Sequence, residues 1–180
     1  MKPYIKLFLA FAILTSLICS AIGSDQNLPE PDNIGTFYYF DSATNSLVPL
    51  EKKIAVTGRE GWPKQKIVVK IDGEKAPLRL KSNQKMTFVV SLANGVDPNK
   101  YQLVSFQPKD GKREAVLVEG TWTGQKANSV FLPCNVGKFG DSYKFTPAEP
   151  LAAGEYAFSA NDSNDTFGFG VDAGEDDGKK

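Results

Sequence analysis

The chain has 180 residues, is 41% hydrophobic and 23% charged, and carries equal numbers of acidic and basic side chains. That is an ordinary globular composition of about one domain, and without a Lys/Arg excess it lacks the footprint of a nucleic-acid binder. It contains no histidine, which excludes Ser-His-Asp and Cys-His catalysis, His-ligated zinc and His-based pH switching.

Residues 1–23 read as an export leader. Lys2 and Lys6 give a basic start, Leu7 to Ile18 is an apolar run broken only by Thr15 and Ser16, and Ala21-Ile22-Gly23 offers small residues at the cleavage site. The apolar run is short for a membrane span, which needs about 20 residues, so no transmembrane segment is expected in the mature chain. Cutting after Gly23 removes two lysines and no acid, leaving a slightly acidic product. Cys19 leaves with the leader. Lipidation of Cys19 is the less favoured alternative, because bulky Ile18 stands where a lipoprotein leader carries a small residue. Cys134 is then the one thiol of the mature chain, either a buried apolar residue or, less simply, the source of an intermolecular disulfide or a reactive thiol.

Residues 24–35 are polar, carry two prolines and read as a linker. From Thr36 onward short apolar segments are separated by Gly, Pro, Asn and Asp, and no window sustains a helical period, so the pattern is β. Residues 36–65 are expected to form an N-terminal β-hairpin and loop. Residues 66–171 are expected to form a β-sandwich onto which that hairpin packs.

Clean period-2 alternation marks half-buried strands. Ile67, Val69 and Ile71 share one face, as do Met86, Phe88, Val90 and Leu92, then Tyr143 and Phe145, then Phe167, Phe169 and Val171. Tyr101 to Phe106 and Ala115 to Val118 are apolar on both faces and are expected to sit centrally. Pro108-Lys109-Asp110-Gly111 supplies the turn of a hairpin between them. The expected core is Met86, Phe88, Val90, Tyr143, Phe145, Leu151, Tyr156, Phe158, Phe167 and Phe169. Residues 172–180 are charged and Gly-containing, and read as a disordered tail.

Leu151-Ala152-Ala153-Gly154-Glu155-Tyr156 links two of these strands. It resembles the tyrosine corner of immunoglobulin-like and fibronectin type III sandwiches, in which Leu plugs the core, Gly permits the bend, and the Tyr hydroxyl returns to nearby backbone. Ala153 stands where that motif usually has Pro, and there is no Cys…Trp…Cys framework. The resemblance implies an antiparallel immunoglobulin-like Greek-key sandwich, with Leu151, Gly154 and Tyr156 in structural roles. Over a longer stretch the chain is similar to a group of small exported bacterial proteins without assigned activity. That similarity rests on Phe37–Phe40 with Leu47-Val48-Pro49-Leu50, on Glu74-Lys75-Ala76-Pro77-Leu78-Arg79-Leu80, on the Gly154-Glu155-Tyr156 corner, and on the closing Phe-Gly-Phe-Gly-Val-Asp. It implies no activity.

Several residues invite a binding role, each beside a plainer one. Phe37 and Tyr39 belong to an aromatic run suited to a carbohydrate platform or, more simply, to a core strand. Gly168 and Gly170 strip side chains from one face of the last strand, which suits either a docking edge for a partner strand or packing of the N-terminal hairpin. Trp62 and Trp122 lie in glycine-flanked loops, as partner anchors or as lids over the sandwich ends. The loop Asn161 to Thr166 carries sequons at Asn161 and Asn164, relevant where the source glycosylates. It lacks the spacing of an EF-hand, so a plain turn is expected and no metal or cofactor is assigned. The acids lie in turns or beside lysines, and a hydrolase built on two of them ranks last. The leading expectation is an exported non-catalytic module, not an enzyme, that binds another envelope or secreted protein. A carbohydrate-binding accessory domain using Trp62 and the 37–40 aromatics is the alternative.

Overall fold

The computed structural model describes residues 28–121 and 124–174. The expected leader, Cys19, Trp122 and the tail beyond 174 lie outside the described residues. Among the described residues the protein is all-β. Its one helical element is a single 3-10 turn, Pro98–Lys100, whose start is capped by the Asp97 carboxylate accepting from the Asn99 backbone N–H.

Fifteen strands form in chain order. The first seven are β1 (Phe37–Asp41), β2 (Ser46–Pro49), β3 (Glu51–Ile54), β4 (Val56–Glu60), β5 (Lys66–Asp72), β6 (Arg79–Lys81) and β7 (Phe88–Ser91). Then come β8 (Tyr101–Lys109), β9 (Lys112–Thr121), β10 (Gly124–Ala127), β11 (Phe131–Leu132) and β12 (Cys134–Phe139). The last three are β13 (Ser142–Pro147), β14 (Gly154–Ala160) and β15 (Asp165–Asp172).

Five of them make one antiparallel sheet in the order β12-β13-β7-β1-β2. A ten-stranded sheet runs β3-β15-β14-β8-β9-β5-β4, with β10 on β9, β11 on β8 and β6 on β15. Within it β6–β15 is the parallel pair. The two sheets pack face to face through period-2 residues: Phe37, Phe88, Val90 and Phe145 from the first meet Leu103, Tyr156, Phe158, Phe167 and Phe169 from the second. Phe37 stacks on Phe158 with ring centroids 4.5 Å apart, and Phe88 lies 4.6 Å from Phe169. Nine of the ten expected core residues are buried, and Tyr143 is half-buried against the same cluster.

A second, smaller core explains the two segments that are apolar on both faces. Strand β8 turns Leu103 into the main core and Val104 and Phe106 the other way. There they meet Ile71 of β5, Ala115 of β9 and Ala157 of β14. β8 pairs with β14 over residues 101–106 and with β9 over 107–109, so its last turn leads into an outer layer. The expected hairpin turn is present. Asp110 and Gly111 both have positive φ, 51° and 77°, the backbone that a two-residue loop between twisted strands requires.

Within residues 36–65 the expected hairpin is present as β1 and β2, and it is built into the five-stranded sheet rather than laid on a finished sandwich. β1 pairs with β2 on one side and β7 on the other, while β3 pairs with β15 and β4 with β5. The physical reason is the aromatic run itself. Phe37 is buried in the main core, and Tyr38 and Phe40, on the opposite face, are buried as well. The segment 28–35 lies along that face without regular structure. Asn33 donates to the Tyr38 hydroxyl at 2.9 Å, and the Gly35 N–H donates to the Ser91 carbonyl at 2.7 Å. The boundary of the charged tail also moves. Asp172 ends β15 in an ion pair with Arg79, and the Gly174 N–H donates to Ser82 Oγ.

Candidate functional site

The corner segment closes as its residues suggest. Leu151 is buried, and the Tyr156 hydroxyl donates to the Ala152 carbonyl at 2.9 Å. A Cβ on Gly154 would stand 3.3 Å from that hydroxyl, so the glycine leaves room for the ring to lie across the bend. Burial pushes the Tyr156 phenol above its ordinary pKa.

Gly168 and Gly170 do face outward from the main core, but the space they leave is filled from within the chain. A Cβ on Gly168 would stand 2.6 Å from Arg113 Nη1, and one on Gly170 would overlap the Arg79 guanidinium. Arg113 reaches there from β9 and is fully buried. Its Nε donates to the Gly73 carbonyl at 3.0 Å, and its Nη2 to Glu51 at 2.7 Å. Nη1, lying over Gly168, has no hydrogen-bond partner among the described residues. Arg79 bridges Glu155 and Asp172, and both contacts raise its pKa, the Asp172 bond most. Both edges of β15 are taken, by β14 on one side and by β3 and β6 on the other. The last strand is therefore not a docking edge. The two glycines make room for guanidinium groups: Arg113 ties β9 of the outer layer to Glu51 of β3, and Arg79 clamps β6 to β14 and β15.

Of the aromatic candidates, Phe37 is a core residue and presents no ring to solvent. Trp62 is 90% exposed, in the loop between β4 and β5. Tyr39 is half-buried and lines a cavity of about 800 Å³ at the end of the sandwich. Phe40, Met86 and Leu151 form apolar wall there; Gln84, Thr87, Asn135 and Thr146 surround it with neutral polar groups. These side chains come from β1, β12, β13 and the segments before β7 and β14. No contiguous motif announces them, and of these residues the sequence singled out only Tyr39 and Phe40 for a binding role.

A second depression, about 380 Å³, runs along the side of the sandwich where β11 and β12 form the rims of the two sheets. Tyr101, Leu103, Leu132, Pro133 and Cys134 line it. At its mouth Phe131 is 46% and Val136 is 36% exposed. Among the described residues β12 pairs only with β13, so its other edge is open there. The Cys134 thiol is free, and burial pushes its pKa up to about 11.

The loop 161–166 is a turn held by its own groups. Ser163 Oγ accepts from the Asp165 N–H at 3.0 Å, and Asp162 pairs with Lys100 at 3.0 Å. Asn161 and Asn164 are exposed. Among the described residues no cluster of three or more His, Cys, Asp or Glu is placed to hold a metal, and no helix is long and apolar enough to cross a membrane. The fold thus defines an all-β protein of antiparallel sheets with an end cavity and an open side edge. The chain matches no protein-family model, no curated protein and no solved structure.

Proposed function

We propose that this chain is an exported, non-catalytic module of immunoglobulin-like Greek-key type that binds an extended segment of another protein in the cell envelope or extracellular space. The strand orders β12-β13-β7-β1 and β9-β8-β14-β15, with the Tyr156–Ala152 bond at the bend into β14, support the family reading. The basic and apolar leader supports export. The non-catalytic reading rests on the absence of histidine and on the state of the least exposed acids: buried Glu114 and Glu155 and half-buried Glu51 are each held by Arg or Lys.

One observation carries the binding reading: the open edge of β12 runs beside the apolar slot containing Phe131 and Val136. An added strand draws main-chain hydrogen bonds from such an edge and places alternate side chains in such a slot. Among the other open strands β2 ends in Pro49 and β4 carries Arg59 and Glu60, features that blunt an edge.

The test is a photo-reactive amino acid at position 136 in the source cells, with position 126 on β10 as the control. A discrete adduct at 136 that is absent at 126 supports the reading. Phe131→Asp should abolish that adduct while lowering the unfolding midpoint only modestly and leaving the transition cooperative, because the ring is nearly half out of the fold. A chain that isolates alone and yields no adduct at 136 would overturn it.

A further inference from the structure

We propose that the cavity at the end of the sandwich binds an uncharged saccharide chain, at a site that shares no lining residue with the β11–β12 slot. Its volume, about 800 Å³, falls in the range of about 300–1,000 Å³ typical of small-ligand sites. It combines an apolar wall with a convergent set of polar groups, the general form of such sites. The wall is the ring of Tyr39 with Phe40 and Met86.

The polar groups indicate the ligand class. Gln84, Thr87, Asn135 and Thr146 have amide or hydroxyl side chains, each able both to donate and to accept. Sugar hydroxyls have the same double capacity, so every approach finds a complementary partner. None of these four side chains, nor the Tyr39 hydroxyl, makes a hydrogen bond within the described residues. All five groups are therefore available without breaking an internal bond. The charged residues at the rim are of both signs, Lys85 and Lys144 with Glu149, and so build no field that selects one ion type. An extended peptide would instead need main-chain groups along an open strand edge, which the other site offers.

The test uses the whole chain titrated with maltotetraose, cellotetraose and chitotetraose, and with the neutral peptide N-acetyl-tetraalanine amide, followed calorimetrically. At least one saccharide should saturate the protein. Gln84→Ala combined with Asn135→Ala should weaken it about tenfold or more, the effect of two lost neutral hydrogen bonds. Asn135 is exposed and Gln84 half-exposed, so the double variant should unfold at the wild-type midpoint; Lys126→Ala on β10 should bind as wild type. Three results would overturn the proposal: no saccharide binding at millimolar concentration, binding unchanged by the double variant, or tighter binding of the peptide than of every saccharide.

Discussion

At the scale of single residues, the positions that matter most are those where a small group makes room for a large one. Tyr156→Phe removes one hydroxyl and its 2.9 Å bond to the Ala152 carbonyl. It should cost about 1 kcal/mol, read as a lower urea midpoint with an unchanged slope. Gly168→Ala is a different perturbation. Its new methyl meets the guanidinium of Arg113, which is fully buried and bonded to Gly73 and Glu51, so it has nowhere to go. The cost should be about 1–3 kcal/mol, the usual range for overpacking. Gly170→Ala should cost less, because Arg79 is partly exposed and can swing outward. If the two alanine variants unfold alike, the immobility of Arg113 is wrong. At Cys134 the thiol is protonated at neutral pH, because burial holds its pKa near 11. A disulfide-exchange reagent should label the native protein far more slowly than the urea-unfolded one, as only the thiolate attacks.

Elements were legible in the sequence where large apolar residues recur at every second position. Strands β7, β13, β14 and β15 put those residues into the main core, although the opposite face of β7, β14 and β15 proved to be covered as well. Pairing partners were harder. A run such as Phe37 to Phe40 records that both faces are covered but not by what, and β1, besides forming the hairpin with β2, proved integral to the sheet through β7. The end cavity was illegible for a related reason. Its polar lining is assembled from separate segments, and single Asn, Gln and Thr residues look like ordinary surface until topology places them together. Turns lie between these cases, since their chemistry is local. At Gly111, where φ is 77° and no atom lies within 4 Å of a new Cβ, alanine should cost only the left-handed backbone penalty of about 1–2 kcal/mol. Gly111→Asn should recover most of it, as asparagine tolerates that conformation, and thermal unfolding of the pair measures the difference.

Across the whole molecule, charge ties the outer layer together and gives stability a pH dependence. Glu114 is buried among Lys66, Lys70 and Lys109, and the hydrogen bond from Lys66 holds its carboxyl below the ordinary value of 4.5. Asp172 is likewise lowered by its bond to Arg79. A carboxyl with a depressed folded pKa stabilises fully above its unfolded value and loses that contribution as pH falls through the folded one. Stability should therefore decline as pH drops below about 4.5. Glu114→Gln should start lower and decline less steeply, a comparison made by urea unfolding from pH 7 to pH 3. The lysines have the opposite sign: Lys66, raised by Glu114, supports the fold fully below 10.5 and loses that support as pH climbs through its elevated folded value.

Strand β8 belongs to both cores, through Leu103 on one face and Val104 and Phe106 on the other. The outer layer therefore has no seam along which it can detach. Releasing β9 exposes the back of β8, and loosening β8 opens the main core. Amide exchange should reflect this: the slowest protons of β5 and those of β14 should exchange with the same free energy and respond equally to denaturant, as one cooperative unit.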